Sequence, residues 1–330
     1  MGLEIDTTGL EMREAFGRML VELGREDSRI VVLDADLNTS TRTILFAEAF
    51  PKRFFQCGIA EQNMFGVAAG LATQGFIPFP TTFAVFATER ACDQVRVSIA
   101  YPKLNVKIPG CYPGIPTGKA GATHQSLQDL SNMRSMPNMR VVDPGDNNEL
   151  KQVMLAAVQY DGPVYFRVQR PEVPDILGDG YRFEWGKAAL LQNGGAATVI
   201  GTGIMTASCL EAAEELRRQG LEVRVLHMPC IKPIDAEAIM AAARETKAIV
   251  TVENHSINGG LGSAVAEVLA EDAPCYLKRL GFQDTFLESA PDEDLYKKYG
   301  LSVEHIVEGV RALVSKSAQS ATASSSEEAK

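Results

Sequence analysis

A single carboxylate stands at the head of an otherwise apolar segment. Residues 56–75 read QCGIAEQNMFGVAAGLATQG, and Glu61 is the only acid among mostly small and apolar side chains. A helix so rich in Gly and Ala can pack closely against another backbone, so Glu61 either stabilises the helix start or faces a buried site. Desolvation disfavours an ionised carboxylate, which suits such a group to sharing a proton with a weak base. The residues alone leave both roles open.

A histidine and two arginines are further candidates for chemistry. His124 follows a loop rich in Gly and Pro, PGIPTGKAGAT. Ligands bind at loops of this kind, beyond the strand ends of open α/β sheets. Arg167 and Arg170 lie at the end of a strand that is predicted over 163–168. An arginine there either pairs with surface acids or binds a phosphate through two hydrogen bonds.

The elements that must position these residues alternate between helix and strand. Apolar residues recur at helical spacing over 10–23, and short β-branched runs cover 30–36, 105–108, 139–143 and 163–168. This alternation predicts an α/β fold in which a parallel sheet is covered by helices on both faces.

Two domains, a linker and a tail are predicted along the chain. The first domain covers 1–172, and a Pro- and Gly-rich linker covers 173–188. A second, smaller α/β domain covers 189–314. The polar, small-sided segment 315–330 is predicted to be disordered.

Composition excludes several classes of protein. The formal charge of −10 argues against a nucleic-acid partner, which needs a basic surface. The six cysteines show no C-x-x-C pair and no zinc-like spacing, so we expect thiols in a reducing cytoplasm and no metal ligands from this chain. No apolar run is long enough to span a membrane and no leader segment is evident, so we expect a cytoplasmic protein without membrane contact.

Four separated stretches occur in an order known from one enzyme family. The chain resembles the C-terminal half of a transketolase, and most closely the smaller subunit of split transketolases, over roughly residues 7–314. That subunit carries a pyrimidine-binding domain and a transketolase C-terminal domain, which the resemblance assigns to the two predicted domains. The four stretches are GIAEQNMFGVAAGLATQGFIPFPTTFAVFATERACDQ, GATHQSLQDLSNMRSMPNMRVVDPGD, VLHMPCIKPID and VENHSINGGLGSAVAEVL.

The resemblance implies thiamine diphosphate as cofactor and Glu61 as the catalytic acid/base. In this family the glutamate of the G-I-A-E-Q-N-M motif hydrogen-bonds the aminopyrimidine ring and favours its imino tautomer. That tautomer takes the proton from the thiazolium carbon, which then attacks a ketose carbonyl. The implied reaction moves a two-carbon ketol unit from a phosphorylated or similarly anionic ketose to an aldose.

The resemblance also implies three further cofactor contacts. Phe83 and Phe86 match aromatic residues that hold the pyrimidine ring, and their spacing of three places both on one face if the segment is helical. Asp36 matches an acid near the cofactor. A third family aromatic falls near Glu89, so the ring pocket is only partly reproduced.

Substrate contacts follow from the same resemblance. Arg13, Ser40 and Arg170 match residues that hold the sugar phosphate. His124 matches a histidine that contacts substrate oxygens and is a second catalytic candidate.

One loop departs from the family pattern. Similar subunits read close to SHAGLSVGEDGATHQ where this chain reads CYPGIPTGKAGATHQ. A histidine is replaced by Tyr112, and an acid pair by Lys119 and Ala120. In the family, these positions contact the hydroxyls and the phosphate of the sugar. Tyr112 is therefore a substrate-binding candidate, and we expect altered sugar specificity.

Half of the cofactor site is missing from the chain. Enzymes similar to this family hold the diphosphate and its Mg²⁺ with a G-D-G sequence followed by Asn. The G-D-G at 178–180 of this chain lies in the linker and is interpreted as a turn. The resemblance therefore implies an N-terminal transketolase subunit that supplies this domain and the Mg²⁺ ligands. We expect an α2β2 assembly with sites at the subunit interfaces.

Other functions compete with this interpretation. The β subunit of a 2-oxo acid dehydrogenase shares the architecture and a similar glutamate, but GATHQSLQDL and RSMPNM favour the transketolase branch. A 1-deoxyxylulose-5-phosphate synthase normally carries the diphosphate module in the same chain. From another class, a non-catalytic scaffold or regulatory subunit would keep the fold and lose the activity.

Overall fold

The computed structural model describes residues 7–178 and 180–328 of the chain. The first part contains six strands: β1 (Ile30–Asp34), β2 (Phe54–Gln56), β3 (Ile77–Phe83), β4 (Lys107–Cys111), β5 (Arg140–Val142) and β6 (Val164–Val168). Its α-helices are α1 (Met12–Glu26), α2 (Asn38–Thr41), α3 (Ile44–Ala49), α4 (Glu61–Thr73), α5 (Asp129–Ser135) and α6 (Asn147–Gln159). Two π-helical segments, Phe86–Arg90 and Gln94–Ala100, lie between β3 and β4.

The second part contains six more strands and five helices. The strands are β7 (Ala189–Gln192), β8 (Thr198–Gly201), β9 (Arg224–His227), β10 (Cys230–Lys232), β11 (Ala248–Ser256) and β12 (Tyr276–Phe282). The helices are α7 (Met205–Arg218), α8 (Ala236–Thr246), α9 (Leu261–Asp272), α10 (Asp292–Lys298) and α11 (Val303–Glu328).

The first sheet is parallel and buried on both faces. Its strand order is β10-β5-β6-β4-β3-β1-β2, and only β10 runs antiparallel. Along β1, Val31 and Leu33 pack in one apolar cluster while Ile30 and Val32 pack in another, so helices cover both faces. This confirms the predicted α/β fold of the first domain.

The second sheet is smaller, with the order β12-β11-β8-β9-β7. Its strands are parallel except for β7, which runs antiparallel to β9. One strand from this part of the sequence, β10, pairs instead with β5 of the first sheet, Cys230 opposite Val142. The two domains therefore share a sheet edge, which the predicted division of the chain did not include.

A buried charge network joins the two domains. Arg167 on β6 is fully buried and donates to Asp129 through Nε at 2.7 Å and Nη2 at 2.6 Å. Its Nη1 donates to Asp143 at 3.0 Å and to the Asn254 carbonyl at 3.3 Å, on β11 of the second domain. A buried charge is tolerated when it is paired and fully hydrogen-bonded. Arg167 is therefore a structural residue, and neither a surface pair nor an available phosphate ligand.

The loop after β4 is held by the second domain. The Asn254 side chain accepts a hydrogen bond from the Ile115 amide at 3.0 Å and donates to the Pro113 carbonyl at 3.4 Å. Gln125 donates to the Glu288 carbonyl at 3.2 Å. The second domain thereby fixes the loop that carries Tyr112 and the approach to His124.

The linker and the tail differ in how they match the predictions. No helix or strand occurs among the described residues of 173–188, and Asp179 of the G-D-G sequence lies outside the described residues. The disorder of 315–330 stays a prediction, and the backbone of α11 continues as a helix to Glu328. Ala, Gln, Glu and Lys favour helices, and the segment has neither Gly nor Pro to end one.

No helix of the described chain has the length and apolarity to cross a bilayer.

Candidate functional site

Glu61 is the first residue of α4, and its side chain is only 2% exposed. Arg90 Nη1 donates to Glu61 Oε1 at 3.1 Å and to Oε2 at 3.3 Å. The Arg90 side chain is 51% exposed, so the ion pair lies where the protein interior meets solvent. Pairing with Arg90 stabilises the buried carboxylate.

The two roles that the sequence left open for Glu61 can now be compared. The residue before α4 is Ala60, and no side-chain hydrogen bond caps the helix. Glu61 lies in the first turn, where the helix dipole favours an anion. Its described hydrogen bonds go to Arg90, so its carboxylate points to the site and does not cap the helix.

Two stacked phenylalanine rings adjoin the Glu61–Arg90 pair. Phe83 ends β3 and Phe86 begins the π-helical segment, so the expectation of a common helical face was wrong. The turn between strand and helix still brings the rings to a centroid distance of 5.9 Å with 21° between their planes. The Arg90 guanidinium carbon lies 4.7 Å from the Phe86 centroid and connects the rings to Glu61.

Tyr112 and His124 extend this aromatic cluster. The Tyr112 ring stacks on Phe83 at 4.5 Å with 25° between the planes. His124 is half-buried and meets Phe83 and Phe86 edge-on, at centroid distances of 6.1 Å and 5.4 Å. Its Nδ1 lies 2.9 Å from the Thr123 hydroxyl. The ring is thus positioned from both sides.

The Tyr112 hydroxyl links the cluster to Arg13 and Ser40. It accepts a hydrogen bond from Arg13 Nη1 at 2.7 Å and donates one to the Ser40 carbonyl at 2.7 Å. Burial raises the pKa of Tyr112, so the phenol stays protonated. The backbone of Tyr112 has φ of +59°, which is a strained conformation for a bulky residue.

Two arginines lie near the Tyr112 ring and differ in their pairing. The guanidinium carbons of Arg13 and Arg170 are 5.9 Å and 5.8 Å from the ring centroid. Arg13 Nε donates to Glu11 at 2.8 Å, and this bond holds the pKa of Glu11 below its ordinary value. Arg170 is exposed, and within the described residues no carboxylate forms an ion pair with it.

Asp36 is placed apart from the other predicted residues. It is exposed, with φ of +64°, and its amide donates to the Gln56 side chain at 2.9 Å. The buried acid at the end of β1 is Asp34, which accepts hydrogen bonds from Thr43 at 3.0 Å and Gln56 at 3.1 Å. Burial raises the pKa of Asp34. The contacts of the described residues do not connect the Asp36 side chain to Glu61.

Sequence reasoning missed three residues of this region. Arg90 carries the only signal that could have been read, because a cation four residues after Phe86 can stack on its ring. Glu11 contacts Arg13, and Asp34 contacts Gln56, which lies far from it in the sequence. No motif in the sequence marks either acid. In the described part of the chain, no three His, Cys, Asp or Glu side chains are grouped as metal ligands.

The arrangement suits a planar, weakly basic ring. A buried carboxylate can share a proton with such a ring, and stacked aromatic faces can hold it. The cations beside Tyr112, Arg13 and Arg170, suit the anionic end of a second ligand. The pyrimidine of thiamine diphosphate is such a planar, weakly basic ring, and an anionic sugar has such an anionic end.

Two family models match the chain, and together they cover most of it. The transketolase pyrimidine-binding domain matches residues 8–175, and the transketolase C-terminal domain matches residues 186–306. The chain belongs to the transketolase family. This confirms the resemblance inferred from the motifs, and membership of the family implies the use of thiamine diphosphate.

Relatives of similar length are subunits of transketolases. The chain is 45% identical over 296 residues to the 6-deoxy-6-sulfo-D-fructose transketolase subunit SqwH of a Clostridium species, covering 90% of this chain and 92% of the relative. It is 39% identical over 305 residues to one subunit of the apulose-4-phosphate transketolase of Phocaeicola vulgatus, covering 92% and 97%.

Solved structures agree with these matches. A split gene transketolase, described as an inactive β4 tetramer, is 48% identical and superposes with a TM-score of 0.87, covering 94% of this chain and 100% of that one. The transketolase of Campylobacter jejuni is 26% identical with a TM-score of 0.82, and the match covers 94% of this chain and 48% of that enzyme. This chain is therefore a transketolase-type subunit, while the roles of its site residues stay predictions.

Proposed function

We propose that this chain is the catalytic half of a thiamine-diphosphate-dependent transketolase that transfers a two-carbon ketol unit from an anionic ketose to an aldose. A continuous series of contacts carries the proposal. It runs from Glu61 through Arg90 and Phe86 to Phe83, and from Phe83 to Tyr112. A proton-sharing acid, a ring-binding face and an anion-binding region are thereby adjacent.

Each residue has a separate task in this proposal. When bound, thiamine diphosphate supplies the nucleophilic carbon that takes up the two-carbon unit. Glu61 holds or releases a proton at a ring nitrogen, and Phe83 and Phe86 hold the ring. His124 contacts the substrate oxygens and moves a proton between them. Asp36 is proposed as an acid that contacts the cofactor.

The substrate end of the site is formed by Arg13, Ser40, Tyr112 and Arg170. The cations and hydroxyls of this region attract the anionic end of a sugar. The names of the two relatives give different anions, a sulfonate for the Clostridium protein and a phosphate for the Phocaeicola protein. The relatives therefore support an anionic sugar without choosing its anion.

A partner subunit completes the site in this proposal. It supplies the diphosphate-binding domain and the Mg²⁺ ligands, and two copies of each subunit form an α2β2 assembly. The exposed face of α4 suits close contact with the partner, because a Cβ at Gly66 or Gly70 would meet no atom within 4 Å. Exposed apolar side chains flank this face, with Ile59 at 75% and Val97 at 48%.

The reducing cytoplasm is the proposed location. All six cysteines are free, and the net charge of −10 gives no reason to expect nucleic acid as a partner.

Reconstitution tests the proposal. The chain is co-expressed with a polypeptide that carries the G-D-G and Asn module, and each is also purified alone. Ketol transfer is measured for each chain and for the mixture, with and without thiamine diphosphate and Mg²⁺. We expect activity in the complete mixture only, and saturation at equal amounts of the two chains. Transfer by this chain alone, or no transfer by the mixture with any anionic ketose, would contradict the proposal.

A further inference from the structure

The guanidinium of Arg90 makes two contacts at once. Its Nη1 donates to both carboxylate oxygens of Glu61, at 3.1 Å and 3.3 Å. Its central carbon lies 4.7 Å from the centroid of the Phe86 ring, which is within the range of a cation–π contact. A planar group with N–H donors therefore contacts the buried carboxylate and the aromatic face together.

The local backbone explains why Arg90 reaches the Phe86 ring. Phe86 and Arg90 are the first and last residues of a π-helical segment. The Ala91 amide donates to the Phe86 carbonyl at 3.1 Å and closes this wide turn. The two side chains are therefore neighbours on one turn of the chain.

The proposed function gives the same two contacts to the cofactor ring. The aminopyrimidine is planar, shares a proton with Glu61 and lies against Phe86 in that proposal. A guanidinium is also planar, donates N–H groups to carboxylates and stacks on aromatic faces. Because the Glu61 side chain is only 2% exposed, its carboxylate has little free surface for a second donor while Arg90 is in place.

Arg90 is held in this position by weak contacts. In the part of the chain that the structure describes, both hydrogen bonds of its side chain come from Nη1 and go to Glu61. The side chain is 51% exposed. An ion pair with one partner so open to water contributes little stability, and a long arginine side chain can turn into solvent.

We propose that Arg90 occupies the ring subsite of the empty chain as an internal substitute for the cofactor ring, and that thiamine diphosphate binds only when Arg90 leaves Glu61. This inference rests on the proposed function and adds an autoinhibitory residue to the same site. The buried carboxylate of Glu61 keeps a donor in either state, Arg90 in the empty chain and the ring in the loaded complex. An unpaired buried acceptor is thereby avoided.

Binding of thiamine diphosphate to the reconstituted complex, measured by calorimetry, tests the inference. Arg90→Met keeps an unbranched side chain and removes the charge and the donors, so the ring loses its competitor. Affinity should rise by about twofold to fivefold, the range that a partly exposed ion pair contributes. The matched control is Arg218, an exposed arginine that pairs with Glu215 on α7, and Arg218→Met should leave the affinity unchanged.

Two further variants separate lost competition from altered structure. In the Glu61→Gln complex the negative charge that attracts Arg90 is absent, so adding Arg90→Met should change cofactor affinity by less than about 1.5-fold. Arg90→Lys keeps the charge but not the planar group, so its affinity should lie between those of the unmodified complex and Arg90→Met. Arg90→Lys also decides the question if Arg90→Met does not assemble.

The outcomes separate this inference from the proposed function. Unchanged binding by Arg90→Met, or the same gain in the Glu61→Gln complex, overturns the inference alone, since ketol transfer by the unmodified complex still supports the proposed function. Weaker binding by Arg90→Met also overturns it and would make Arg90 a residue that holds the cofactor. Absence of thiamine diphosphate binding by every form overturns the proposed function, and the inference with it.

Discussion

The buried carboxylate of Glu61 is bound through both oxygens by one nitrogen of the half-exposed Arg90, at 3.1 Å and 3.3 Å. Arg90 also lies over the Phe86 ring. One exposed side chain therefore connects the acid to the aromatic face. A ligand that hydrogen-bonds Glu61 has to share the carboxylate with Arg90 or displace it, and the exposure of Arg90 allows either.

The same substitution at two arginines near the end of β6 should change stability by very different amounts. Arg167→Met leaves Asp129 and Asp143 buried without their cation, so the free energy of unfolding should fall by about 3 to 5 kcal/mol. Arg170→Met changes an exposed side chain, and stability should stay within about 0.5 kcal/mol. Urea unfolding of the purified chain measures both. Similar small losses would contradict the structural role of Arg167.

Tyr112→Phe removes the hydroxyl that orders Arg13 and Ser40. One hydrogen bond of this kind contributes about 1 kcal/mol, so KM for the ketose should rise by about fivefold while kcat changes less than twofold. Tyr101 is 82% exposed and serves as the control, because Tyr101→Phe should change neither constant. A fall in kcat without a change in KM would place Tyr112 in the chemical step instead.

Glu253 should make stability depend on pH. It is fully buried on β11 and accepts the amides of Leu261 and Gly262 at 2.7 Å and 2.8 Å. Burial raises its pKa to about 7, above the ordinary value for glutamate of about 4.3. Between these values the folded state binds more protons than the unfolded state, so stability is lost as pH rises toward 7.

Glu253→Gln is neutral at every pH and should remove this loss. The unfolding free energy of the unmodified chain, relative to the variant, should fall by about 3 kcal/mol between pH 4.5 and pH 8. Chemical unfolding at several pH values measures the difference. The exposed Glu271 on α9 is the control, and Glu271→Gln should leave the pH dependence unchanged. A difference in unfolding free energy between the two proteins that does not change with pH would show that the Glu253 carboxyl has the same pKa in the folded and unfolded states.

Local patterns predicted several elements of the first domain. The β-branched runs at 30–36 and 163–168 contain strands β1 and β6. Successive residues of a strand point to opposite faces of the sheet, and helices cover both faces, so a buried strand is a continuous apolar run. The pairing of β10 with β5 was not predictable in this way. It joins Cys230 to Val142, and nothing in either short segment specifies a partner so distant in sequence.

The site was predictable where a motif or an apolar context marks a residue. Glu61, Phe83 and Phe86 lie in one stretch, and the structure brings them together through Arg90. The hold of the second domain on the loop after β4, through Asn254, was not predictable, because it depends on the packing of two domains.

The last test concerns Glu61. Glu61→Gln keeps the size of the side chain and an acceptor for Arg90, so the reconstituted complex should assemble and bind cofactor. Turnover should fall by roughly a hundredfold or more, because the variant cannot share a carboxylate proton. A role limited to stabilising the start of α4 would instead reduce stability by about 0.5 to 2 kcal/mol and spare the chemical step.

The most direct measurement is hydrogen–deuterium exchange at the thiazolium carbon of bound thiamine diphosphate, made together with thermal unfolding on the same Glu61→Gln complex. If Glu61 activates the cofactor, exchange slows by roughly a hundredfold while the melting temperature stays close to that of the unmodified complex. Exchange as fast as in the unmodified complex, with a lowered melting temperature, would assign Glu61 a structural role and contradict the account.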